Sequence, residues 1–177
     1  EIAYDGRLAG EEESPVYGVR FAAIRPDYSF LMYPARWFPV SDYTTDRFAM
    51  KLKVTVPDGF TVLSNGRLVS QSTEPELRPT EDGRVLAVPR QTGRQRFHWL
   101  QDKPHVTYLI ALVAGHLRGL EAKYRDIPLS FFTPPSDFAY ATNSFRDTAD
   151  MMAFFEREIG VPYPWAKYAQ VCVNDFV

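Results

Sequence analysis

Over the first two-thirds of the chain, apolar and polar positions alternate with a period of two. Phe48, Met50, Leu52, Val54 and Val56 share one face while Lys51, Lys53 and Thr55 take the other, the pattern of a half-buried strand. Pro57, Asp58 and Gly59 stop that strand, because proline removes a ladder donor and Asp-Gly suits a tight turn. A second strand over 60–63 runs into Ser64, Asn65 and Gly66, which tolerate positive φ, and the sequence of strand, turn and strand predicts hairpins. Further strands are expected at 17–24, 85–89, 94–99, 106–113 and 116–124. Residues 106–113 are apolar on both faces, which predicts a central strand covered on both sides. The segment 72–83, rich in Pro, Gly and carboxylates, is expected to be a mobile loop.

The period changes after Pro134 and Pro135. Phe145, Ala149, Met152, Phe155 and Ile159 recur at steps of three and four, an apolar helical stripe with Arg146, Asp150 and Arg157 outside it. Asn143 or Ser144 suits its start, and Gly160 followed by Pro162 suits its end. Residues 168–173 then alternate as one more strand. The whole reads as a mainly β fold: a β-sandwich or saddle-like unit over 1–124 and a short α+β stub over 125–177.

With 177 residues the chain is long enough to bury roughly two-thirds of its unfolded surface. Twenty Lys and Arg against 22 Asp and Glu give a net charge of -2 with no block of either sign, so no footprint for nucleic acid is present. The longest apolar stretch, 108–114, falls far short of the roughly 20 residues of a membrane-spanning helix. Cys172 is the single cysteine, which rules out an internal disulfide, and its alternating apolar surroundings predict a small buried hydrophobe. The chain opens without an initiator Met and closes without a polar tail, which suggests a piece of a larger protein whose last strand, 168–173, is left as an edge available for self-association.

Candidate chemistry is sparse. His98, His105 and His116 are the only imidazoles, and their spacing matches neither the i, i+4 pair of a zinc peptidase nor a zinc finger. No nucleophile elbow, Walker loop or dinucleotide fingerprint occurs, and Gly115 to Gly119 lacks a phosphate-binding context. Asp42 with Asp46 is one of many imaginable carboxylate pairs, better read as solvated turn residues. Tyr33, Trp37, Phe38, Tyr43 and Phe48 suit an inter-sheet core and edge, or a stacking platform for sugars centred on Trp37. No catalytic or metal-ligating residue is assigned within the chain.

Several motifs in order carry a resemblance. Residues 108–115 have the form Y-L-x-A-x-x-x-G. Residues 154–168 read F-F-x-x-x-x-G-x-x-Y-P-x-x-K-Y, and 171–176 read V-x-V-x-D-F. Upstream, Arg36, Phe38, Pro39 and Asp42 resemble R-x-x-F-P-C-x-D, with Val40 at the cysteine and the arginine displaced by one. In this order the motifs resemble the aminopeptidase N group of zinc aminopeptidases, over nearly the whole chain. The resemblance implies that 1–124 is most of the β-rich N-terminal domain, that residues 127–132 open a thermolysin-like catalytic domain, and that 149–160 is its first helix.

It also implies what is not here. The family's zinc ligands, the general-base Glu of its H-E-x-x-H motif, its oxyanion-stabilising Tyr and its Gly-x-Met-Glu-Asn strand would all follow Val177. Zinc and a peptide substrate are therefore implied for a longer parent and no cofactor for these residues. Registered on Pro39, the position where many relatives place a Gln or Glu that helps hold the substrate's amine falls near Phe30. A catalytically inactive relative serving as a scaffold, or a sugar-binding β-sandwich, are the alternatives.

Overall fold

The computed structural model describes residues 2–6, 11–13, 20–40, 45–73, 76–80, 82, 84–88 and 93–176. Among these the strands are β1 (Glu11–Glu13), β2 (Arg20–Ile24), β3 (Tyr28–Leu31), β4 (Arg47–Pro57), β5 (Thr61–Ser64), β6 (Arg67–Thr73), β7 (Glu76–Pro79) and β8 (Val85–Val88). They continue with β9 (Arg94–Val106), β10 (Leu112–Gly115), β11 (Arg118–Tyr124) and β12 (Ile127–Thr133). Two helices, α1 (Phe138–Phe145) and α2 (Thr148–Ile159), precede the last strand, β13 (Tyr168–Val171). The described residues are mainly β, and both α-helices lie in the final third.

Two antiparallel sheets form the first part, one ordered β1-β2-β3-β10-β5 and the other β4-β9-β6. Their facing side chains make one core: Val62, Leu63 and Ala114 from the first sheet meet Val56, Phe97 and Trp99 from the second. The alternation read in 48–56 is what places Val56 inward and Lys51 and Lys53 outward.

The expected hairpins are not there. β4 and β6 lie in one sheet and β5 in the other, so the turns at Gly59 (φ 85) and Gly66 (φ 79) carry the chain across the sandwich. Turn residues specify positive φ, but they do not specify which strands pair afterwards. Asn65 instead fastens the corner: its Nδ2 donates to Leu109 O at 3.0 Å, and its Oδ1 accepts from Ala111 N at 2.8 Å.

That corner also breaks the strand expected at 106–113. β9 runs on to Val106, one turn of 3-10 helix occupies Thr107–Leu109, and β10 begins at Leu112. Half of the expectation holds, since β10 lies between β3 and β5, but Tyr108 and Leu109 are exposed. The loop expected at 72–83 is largely strand: β6 reaches Thr73, and β7 pairs with β8 around a turn closed by Thr80 N donating to Arg84 O. Of the strand expected at 17–24, residues 17–19 lie outside the described residues.

β11, β12 and β13 form a third sheet, antiparallel between the first two and parallel between the last two. Parallel neighbours need a long crossover, and residues 134–167 with both helices supply it. β12 serves two cores. Leu129 and Phe131 face Met152 of α2 and Tyr124, while Phe132 packs against the sandwich core.

The single helix expected from 143 is two helices. Asn143 lies inside α1, and α2 begins after Asp147, which makes no side-chain cap. Thr148, buried at the first position of α2, has its Oγ1 donating to Gln170 Oε1 of β13 at 3.1 Å. This contact fixes the start of α2 against the sheet. Gly160 ends α2 at φ 75, its N–H donating to Glu156 O. The apolar stripe is buried only at its beginning, because Phe155 is 57% and Ile159 68% exposed. One turn beyond Met152 the inward place belongs to Glu156, which accepts from Tyr124 OH at 2.8 Å and from Tyr163 N at 2.7 Å.

Candidate functional site

The last strand is tied to the sandwich at both of its ends. At the near end Lys167 extends its ammonium across Trp99, 5.1 Å from the ring centroid, and donates to Ser64 O at 2.9 Å. At the far end the chain turns at Asp175, whose φ of 66 is a left-handed conformation that aspartate tolerates better than most side chains. The turn sets its carboxylate against β2 and β3. Arg25 Nη2 lies 3.0 Å, Arg20 Nη1 3.2 Å and the Tyr28 hydroxyl 2.7 Å from Asp175 Oδ2.

These partners fix the charges. The Tyr28 hydroxyl and Arg25 guanidinium that donate to Asp175 hold its carboxyl below the usual range, whereas burial and the carboxylate beside it push the Tyr28 phenol up. Asp175 is therefore ionised and Tyr28 is a neutral donor at neutral pH. With Asp175 clamped, Phe176 meets Phe30 edge-on at a centroid distance of 5.9 Å. Phe30 is 2% exposed, and its neighbours across the sheet are Ala23 and Val113.

The structure thus joins two positions that are 146 residues apart in sequence: Phe30, near which the resemblance places an amine-binding side chain, and Phe176, which closes the V-x-V-x-D-F motif. Sequence reasoning singled out each of them for its own motif. It missed Arg20, Arg25 and Tyr28 as a clamp and Lys167 as a junction. The only local signal was a lysine among aromatics with no acidic neighbour in sequence.

The three histidines are not brought together. His105 is buried in β9, its Nδ1 2.7 Å from Val106 O and its ring edge-on to Trp165. His98 lies on the same strand, paired with Lys53 and Ser70, and His116 is exposed, edge-on to Phe60 with Nδ1 3.2 Å from Gly59 O. Among the described residues no three His, Cys, Asp or Glu side chains converge on a point where a metal ion could sit.

The remaining residues singled out in the sequence have plain placements. Cys172 is exposed rather than buried, because it follows an edge strand that has β12 on one side only. Asp42 and Tyr43 lie outside the described residues. Trp37 and Phe38 are half-buried and edge-on to each other, and Tyr33 packs on Phe21 with its centroid 4.3 Å away.

No protein-family model matches the chain. Among curated proteins, mitochondrial aminopeptidase 2 of Saccharomyces cerevisiae is 33% identical over 70 residues, 40% of this chain. Aminopeptidase N of Acetobacter pasteurianus is 24% identical over 138 residues, 78% of this chain. The chain is a relative of the aminopeptidase N group.

Its fold agrees with that of a solved aminopeptidase: the crystal structure of Legionella pneumophila aminopeptidase A in complex with aspartic acid superposes with a TM-score of 0.70 over 86% of the chain, at 21% identity. The aminopeptidase match is not exclusive, since transcription initiation factor TFIID subunit 2 of Drosophila melanogaster is 24% identical over 139 residues. The chain spans a small part of each relative, 7% of the yeast, 34% of the Acetobacter and 10% of the Drosophila protein.

Proposed function

We propose that this chain is the N-terminal β-rich domain and the first part of the catalytic domain of a zinc-dependent aminopeptidase that removes N-terminal residues from peptides. In this reading residues 1–124 are the N-terminal domain and 125–177 begin a thermolysin-like domain. β11 and β12 meet at that boundary and pair along their whole length, so the two parts share a sheet. The zinc ligands and the general base belong to residues beyond these 177. The metal would polarise the scissile carbonyl and activate water there.

The observation that carries the reading is the Asp175 clamp with the Phe30 to Phe176 contact. It presses the end of the V-x-V-x-D-F motif onto β3, the strand near which the resemblance puts the family's amine-recognition position. Phe30 brings no hydrogen-bond acceptor to that place. Its buried ring packs on Phe176 instead, and the amine of the peptide takes its acceptors from elsewhere in the parent.

A second reading rests on the TFIID subunit 2 match: the same pair of units acting as a scaffold without peptidase chemistry. One experiment separates the two. A longer polypeptide that contains this chain is assayed for bound zinc and for turnover of a panel of aminoacyl fluorogenic substrates, beside the 177-residue chain. Zinc and turnover in the longer polypeptide alone are expected. Neither in the longer polypeptide supports the scaffold, and turnover by the 177 residues themselves would sink both.

A further inference from the structure

Lys167 also lines a cavity of about 380 Å³ between the sandwich and the segment leading into β13, at the opposite end of that segment from the Asp175 clamp. This volume lies in the range of roughly 300 to 1,000 Å³ that small-molecule sites occupy. Its walls are largely apolar, with Leu63, Leu109, Val113 and Trp165 among them.

Four of the polar side chains around the cavity are occupied by the protein itself. Ser64 Oγ donates to Ala111 O, Gln101 Nε2 donates to Lys103 O, Tyr163 OH donates to Lys167 O, and Asn65 is spent at both ends on the 107–111 corner. His105 Nε2 is buried without a hydrogen-bond partner. Lys167 also has donors to spare: an ammonium has three N–H donors, and Ser64 O takes one of them.

No carboxylate among the described residues forms an ion pair with it. Glu121 is the nearest candidate by position, since it lines a neighbouring cavity that Lys167 also borders, and no ion pair joins the two. Burial without a counter-ion pushes the amine down to about 8. A half-buried cation with unused donors, set in an apolar cavity of ligand size, is complementary to a small anion with an apolar body.

We propose that this cavity binds a small organic monocarboxylate bearing a branched apolar group, with the carboxylate on Lys167 Nζ and the apolar group among Leu63, Val113 and Trp165. The proposal stands apart from the peptidase reading and holds whether the parent is an enzyme or a scaffold.

The test is a titration of the full chain with isovalerate, its uncharged amide isovaleramide, and acetate, followed by tryptophan fluorescence, because Trp165 lines the cavity and Trp99 lies under the ammonium. Saturable binding of isovalerate is expected, with isovaleramide and acetate each at least about tenfold weaker. Binding requires the protonated amine, so affinity should fall about tenfold per pH unit above the amine's value of about 8. His105, Tyr163 and Tyr168 are the other titratable groups on the cavity wall, and the Tyr163 phenol, pushed up to about 12 by burial, stays neutral in that window. Lys167→Met should abolish the preference for acid over amide. Equal binding of acid and amide, an affinity that ignores pH through that window, or no saturable change would overturn the proposal. The comparison of acid with amide in the unaltered chain decides the matter even where the Lys167→Met chain does not fold.

Discussion

The contact between Phe30 and Phe176 is testable on its own by a double-mutant cycle with Phe30→Leu and Phe176→Leu. Leucine keeps an apolar side chain in place but removes the edge-on aromatic pair, which is worth roughly 0.5 to 1.5 kcal/mol beyond area burial. Phe30 is 2% exposed, so its replacement also carries a packing cost of about 1 kcal/mol, for a total near 2 kcal/mol. Phe176 is 47% exposed, and its replacement should cost about 1 kcal/mol, most of it the lost pair. In urea unfolding with an m-value of about 2 kcal/mol/M, the midpoint falls by about 1 M and about 0.5 M respectively. The double variant should lose less than the sum of the singles, by the 0.5 to 1.5 kcal/mol that each single already removes. Additivity within about 0.3 kcal/mol would mean that the rings do not interact. The residues after β13 would then not be held on β3, and the observation that carries the functional proposal would be gone.

Three further outcomes follow from the geometry. Gly66→Ala should destabilise the chain by roughly 2 to 4 kcal/mol in the same urea assay, since a Cβ would stand 2.1 Å from Leu100 O at a φ of 79; a loss under about 0.5 kcal/mol would contradict the corner described here. Glu156 is held below its ordinary value of 4.5 by the Tyr163 N–H, then by the Tyr124 hydroxyl and by Arg125, whose Nη1 is 2.8 Å away. Its stabilisation is therefore present above pH 4.5 and is lost as pH falls through the depressed folded value, so the gap in urea midpoint between the unaltered chain and Glu156→Gln should close on acidification; a gap constant from pH 7 to pH 3 would refute the network. Cys172 should react with a thiol reagent in the folded chain without denaturant, because it is exposed, and more slowly than free cysteine at pH 7, because partial burial and then the charge of Asp137 push its thiol up; protection until unfolding would restore the buried placement.

Local grammar was legible in the residues alone, and so was a resemblance to a family. Period-two alternation from Phe48 to Val56 is a consequence of side chains pointing to opposite faces of a strand, so it survives in any sheet that buries one face. Positive φ at Gly59, Gly66 and Gly160 follows equally locally, from the absence of a Cβ. The ordered motifs from Tyr108 to Phe176 were enough to name the aminopeptidase N group.

Only the tertiary structure decided pairing and direction. A turn sequence is the same whether the chain doubles back in one sheet or crosses to the other, and here Asn65 is committed to Leu109 and Ala111, which no local pattern announces. The apolar stripe of α2 gave no sign that Glu156 would occupy the inward position, because its partners Tyr124 and Tyr163 come from outside the helix. The Asp175 clamp likewise joins residues 150 apart in sequence, and the bond from Lys167 to Ser64 O joins residues 103 apart, contacts that exist only after three sheets have packed. Hydrophobic periodicity records which face of an element avoids water. It carries no information about which other element supplies the cover, and in this chain that choice made both candidate sites.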